Sequence, residues 1–73
     1  MRQQLLKIYQ RHELADMIYI GADGSLTKRR IHILSITNHS FKAYCYLRRS
    51  KRTFKIDRVL SVQQVVNREP QAI

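Results

Sequence analysis

Leu5, Ile8, Tyr9 and His12 recur at i, i+3, i+4 and i+7, with Lys7 and Arg11 elsewhere on the wheel. That period predicts one amphipathic helix over about residues 2–13, its apolar stripe lying on whatever follows. The period then falls to two. "MIYI" (17–20) is β-prone and ends at Asp23-Gly24, where glycine accepts the positive φ of a tight turn. "TKRRIHILSI" (27–36) sets Arg29, Ile31 and Ile33 against Arg30, His32 and Leu34. "TNHS" (37–40) reads as a loop, Phe41 to Leu47 as a third strand, "RSK" as a turn and Arg52 to Ile56 as a fourth strand. "VLSVQQVV" (59–66) is a fifth β-rich run.

One helix followed by five short strands predicts a mainly β fold: a small five-stranded SH3-like or Sm-like barrel with an N-terminal α-helix. Barrel closure would remove the edges that an open five-stranded sheet exposes. The single domain is expected to span residues 1–66. "NREPQAI" (67–73) reads as a tail, with Pro70 marking its end.

Alternation assigns faces within the third and fourth strands. Phe41, Ala43, Cys45 and Leu47 share one parity and are expected to line the core with Phe54 and Ile56. Lys42, Tyr44, Tyr46 and Arg48 share the other. Interleaved cations and aromatics suit single-stranded nucleic acid, because cations follow phosphates while bases stack on rings. Tyr44 fits equally as a stacking residue or as a half-buried rim residue of a thin core, and Tyr46 fits the rim better. Arg52 has the inward parity of Phe54, and Asp57 is the acid nearest to it in sequence.

Charge sharpens this picture. The chain of 73 residues carries 14 Lys and Arg against 5 Asp and Glu, a formal charge of +9. Residues 28–58 hold ten of the cations and Asp57 alone among the acids, so the whole excess lies in the central segment. A concentrated basic stretch points to an anionic partner. Arg48, Arg49, Lys51 and Arg52 crowd one connection, where repulsion across a hairpin is unfavourable. Three of the four are arginines, whose planar fork suits phosphate; the plain alternative is a solvated basic turn.

Other chemistry is sparse. Cys45 is the only cysteine, which fits a reducing compartment, and its parity makes it a small buried hydrophobe. His12, His32 and His39 stand far apart without zinc-site spacing. No nucleophile, base and orienting acid fall together, and Gly21 and Gly24 form no phosphate-cradling loop. Neither an enzyme nor a cofactor is expected. The N-terminal stretch lacks a secretory pattern, and no run approaches the roughly 20 apolar residues of a membrane span, so a cytoplasmic location is expected.

Two strings, "IYIGADGSLTKRRIHI" and "AYCYLRRSKRTFKIDRVLSV", resemble the WYL domain of bacterial regulators over about residues 13–65. The matching positions are Tyr19 before Asp23-Gly24, Arg29 in the second strand, and Ala43-Tyr44-Cys45 in the third. Arg48, Arg52, Phe54, Asp57 and Arg58 then follow in the family's order. The resemblance implies an Sm/SH3-like barrel that senses a nucleotide or single-stranded nucleic acid and controls an attached DNA-binding domain. It implies a ligand site drawn from Arg29, Tyr44, Arg48, Arg52 and Arg58. The sequence departs from the pattern in two places. His39-Ser40-Phe41 stands where the naming Trp-Tyr-Leu would fall, and Ile33 where a proline is expected. Residues 1–13 supply one helix, too little for a helix-turn-helix.

The resulting expectation is a non-enzymatic module for single-stranded DNA or RNA, or for a nucleotide ligand. The alternative is a protein-interaction module that docks on a regulator protein or self-assembles into a homo-oligomer, as Sm-like RNA chaperones do.

Overall fold

In the computed structural model, residues 1–65 are described. The expected tail over 67–73, and Val66 at the expected domain end, lie outside the described residues. Helix α1 spans Arg2–Gln10 and is followed by β1 (Leu14–Ile20), β2 (Leu26–Ile36), β3 (Ser40–Cys45), β4 (Ser50–Lys55), a 3-10 turn (Ile56–Arg58) and β5 (Val59–Val65). All strand pairs are antiparallel, in the order β4-β3-β2-β1-β5. The architecture is the expected one, mainly β with five strands and an N-terminal helix.

The helix is shorter than its apolar period suggested. "RQQLLKIYQ" contains mostly unbranched, strong helix formers. It stops because His12 adopts φ 56°, a left-handed conformation. The His12 amide donates to the Tyr9 carbonyl at 3.0 Å and the Glu13 amide to the Ile8 carbonyl at 3.2 Å. Those two bonds make a Schellman ending. His12 is therefore an exposed terminator and not a fourth member of the apolar stripe. Leu5 and Ile8 are buried, and Tyr9 packs against the core.

The strands follow the alternation because each buries one face. Ala15 and Met17 from β1, Ile31 and Ile33 from β2, Phe41, Ala43 and Cys45 from β3, Phe54 from β4 and Val59 from β5 form one cluster with Leu5 and Ile8. We call this the inner face. Among the described residues no polar or charged residue is buried. Phe54 anchors its aromatic part, edge-on to Tyr19 with centroids 5.0 Å apart and tilted against Phe41 at 5.5 Å.

Two irregularities bend the sheet. The β2–β3 register shifts between Ile33 and Ser35, leaving Leu34 exposed. The β1–β5 register shifts between Ile18 and Tyr19, which face Ser61 and Val59, so Leu60 has no partner in the ladder. Bulges of this kind increase local twist. The ladder itself does not close, since β4 and β5 are its two ends. One bond reaches across from β4 to β1, where the Lys55 amide donates to the Tyr19 hydroxyl at 2.9 Å; the Ile56 amide, donating to the His39 carbonyl at 3.0 Å, extends the β3–β4 pairing by one step.

The β3–β4 turn corrects the expected strand ends. Cys45 pairs with Ser50, so the turn is Tyr46–Arg49 and not "RSK". Arg49 turns the chain with φ 53°. Leu47 consequently leaves the strand and is 60% exposed, rather than lining the core. Ile56 opens the 3-10 turn and packs at the core margin.

Candidate ligand site

The meander places the β1–β2 and β3–β4 turns at one end of the sheet. Arg29 and Arg48 both lie beside Cys45, and Arg58 lies beside the β1–β2 turn, each held differently. Arg29 has the inner parity of Ile31 and Ile33, so it emerges at the rim of the core. Its Nε donates to Thr27 Oγ1 at 3.0 Å, its Nη1 to Cys45 Sγ at 3.6 Å, and its guanidinium carbon stands 5.7 Å from the Phe54 ring centroid. A guanidinium over an aromatic ring gains from the ring quadrupole. Arg58 Nη1 donates to the Gly21 carbonyl at 3.2 Å, which ties the start of β5 to the β1–β2 turn. Arg48 lies in the β3–β4 turn and is exposed.

Arg52 pairs with Ala43 in the ladder and precedes Phe54 by two residues, so it shares the inner parity, as the pattern indicated. On the edge strand that parity leaves it exposed, and Asp57 is exposed as well. Tyr44 does not join the arginines. It lies on the outer face, between His32 and Lys51 in the register, and its ring meets Tyr46 edge-on at 4.9 Å. The five expected site residues thus divide into an arginine end and an outer-face tyrosine.

Cys45 is embedded in the arginine end. Burial pushes its thiol up, but the Arg48 amide, the Arg29 guanidinium and the Leu47 amide outweigh this and hold it below the ordinary thiol range. On the outer face, Arg30 Nε and Nη2 donate to the two Asp16 carboxylate oxygens at 2.9 and 3.1 Å. The Arg30 hydrogen bond is the main cause that holds the Asp16 carboxyl below its usual value.

One feature escaped the sequence pattern. A surface cleft of about 720 Å³ opens beside Asn38, His39 and Ser40, with Lys55 and Asp57 on its other wall. Its size suits a small molecule. It depends on the Ser40–Lys55 pairing, which no local motif reveals. Among the described residues, no three His, Cys, Asp or Glu side chains converge as a metal site, and no helix is long and apolar enough to cross a membrane.

Strand order and the N-terminal helix are consistent with a WYL-like fold. Among solved structures, the chain is similar to Proteasome accessory factor B/C (PafBC) of Arthrobacter aurescens, with a TM-score of 0.71 and 24% sequence identity. The match covers 86% of this chain but 11% of that protein, so this chain spans about a tenth of its length. The likeness is one of fold. No family model matches the chain, and no curated protein does.

Proposed function

We propose that this chain is a non-enzymatic regulatory binding module that recognises single-stranded nucleic acid or a nucleotide-type anionic ligand. The observation that supports the reading is the set of arginines about this end of the sheet: Arg29 and Arg48 beside Cys45, Arg58 on the β1–β2 turn, and Arg52 on the β4 edge strand. Two of these four, Arg48 and Arg52, are exposed and available to phosphate. Arg29 and Arg58 are partly buried, so they shape the end as well as charge it. The resemblance to WYL domains and the matching fold support a regulatory role. Tyr44 would act from the outer face, on the part of a ligand that passes over the edge.

Phosphate binding releases counterions, so affinity should fall steeply with salt. Titrating thymidine monophosphate and an oligothymidylate at two salt concentrations tests this. The Arg48→Ala/Arg52→Ala double variant should bind more weakly and with a flatter salt slope. Salt-independent binding, or an unchanged double variant, sinks the reading.

The β4 and β5 edges, unpaired among the described residues, favour a second reading, a module that self-associates or docks on a regulator by adding strands. Light scattering with and without oligonucleotide separates the two. An oligomer that forms without nucleic acid supports the second.

A further inference from the structure

We infer that the outer face of β2, β3 and β4 is a separate track for single-stranded nucleic acid, on which bases stack against Tyr44 and Tyr46 and phosphates meet Lys42 and Lys51. This rests on the nucleic-acid reading above, shares Tyr44 with it, and extends it to Tyr46, Lys42 and Lys51 on the face away from the arginines. The register sets Leu14, His32, Tyr44 and Lys51 in one row across the sheet. Lys42 lies two residues before Tyr44, paired with Thr53. Tyr46 opens the β3–β4 turn two residues after Tyr44, and its amide donates to the Arg30 carbonyl at 3.0 Å, which keeps its backbone beside β2. The two tyrosines meet edge-on at an interplanar angle of 75° and form a corner. Tyr46 is 45% exposed, so that corner is open.

The charges on this face are unevenly compensated. Neither β3 nor β4 contains an acid. The β1 acid on this face, Asp16, is occupied by both nitrogens that Arg30 offers it. Lys42 and Lys51 are therefore left without a carboxylate on their own strands. The helix does not cover them, because its buried Leu5 and Ile8 belong to the inner-face core.

The chemistry favours one class of partner. Lysines are point charges on flexible stems, suited to following a backbone without reading sequence. Exposed rings accept any base, because every base has a π-face. A duplex hides its bases from a flat sheet face, since groove entry needs a protruding helix or ribbon. An acidic polypeptide would satisfy the lysines and leave the rings without a partner.

The test uses the full chain and compares thymidine monophosphate with an oligothymidylate of about twelve residues, a length typical of such sites. Lys42→Ala/Lys51→Ala should lower the salt slope for the oligonucleotide by about 1.4, roughly 0.7 per phosphate lost. Tyr46→Ala should weaken oligonucleotide binding about tenfold, and Tyr46→Phe should restore it. Both sets of variants should bind the mononucleotide as the parent does. Circular dichroism of each variant confirms that the sheet is intact. If the lysine and Tyr46 variants bind the oligonucleotide normally while Arg48→Ala/Arg52→Ala loses it, the track is refuted and the arginine site stands. If polyglutamate binds with the same Tyr46 dependence, the assignment to nucleic acid is overturned.

Discussion

The Tyr19 hydroxyl accepts the Lys55 backbone amide at 2.9 Å, across 36 residues and between strands that are not neighbours in the sheet. This bond does part of what a closed ladder would do. It ties β4 back toward β1 while the Tyr19 ring packs edge-on against Phe54. Tyr19→Phe keeps the ring and removes the bond, so the variant should fold and lose about 1 kcal/mol in urea unfolding. Hydrogen exchange should speed up at the Lys55 amide more than at amides paired within β2. An unchanged Lys55 rate would show that the bond contributes nothing to closure.

Phe54 carries a larger share. It is 3% exposed and touches Tyr19, Phe41 and the Arg29 guanidinium. Phe54→Ala should cost about 3–5 kcal/mol, enough to unfold a marginally stable domain of this size. Phe54→Leu should remain folded, with thermal melting recording a smaller loss.

The left-handed His12 offers the opposite change. A side chain at φ 56° is strained, whereas glycine is not. His12→Gly should raise stability by about 0.5–1 kcal/mol, and His12→Val should lower it. Chemical denaturation of the two variants gives the order directly.

Asp16 predicts an acid limb. Its carboxyl is held below its unfolded value, first by the Arg30 hydrogen bond. A lowered folded pKa means that the folded state favours the carboxylate. That stabilisation is fully present above the unfolded value, near 3.8, and is lost as pH falls through the lower folded one. Asp16→Asn should therefore flatten the stability profile below about pH 4 and leave its shape near neutrality unchanged. Denaturant melts across that range provide the check.

Cys45 separates acidity from access. Its thiol is held below the ordinary range, yet the residue is 0% exposed. Reaction with a disulfide reagent should be slow in the native protein and should accelerate with denaturant, following the opening of the sheet. Fast labelling of the folded chain would contradict the burial.

Alternation carried the fold because nearly every strand buries one face. Ile31 and Ile33, then Phe41, Ala43 and Cys45, could be assigned inward from parity alone. The same parity put Arg29 inside and Tyr44 outside, so the division of the candidate site was already implicit in it. Helix and hairpin ends were less legible. His12 and Arg49 reverse the chain in left-handed conformations without glycine, and the pattern had no signal there. Leu47 was misassigned for that reason, since its strand ends two residues earlier. The cleft beside His39 arises from pairing between distant residues, and its walls cannot be read from either strand separately.

Arg29 makes the core and the candidate site share one side chain. It shields the Phe54 ring and neighbours the Cys45 sulfur while facing the arginine end. An anion that draws this guanidinium outward uncovers the ring, and that loss is subtracted from its affinity. Weakly charged anions would leave Arg29 in place and meet only Arg48 and Arg52. Under the proposed function, a phosphate-rich ligand would offset the loss and recruit the third arginine, so the packing beneath the site would set a threshold for occupancy.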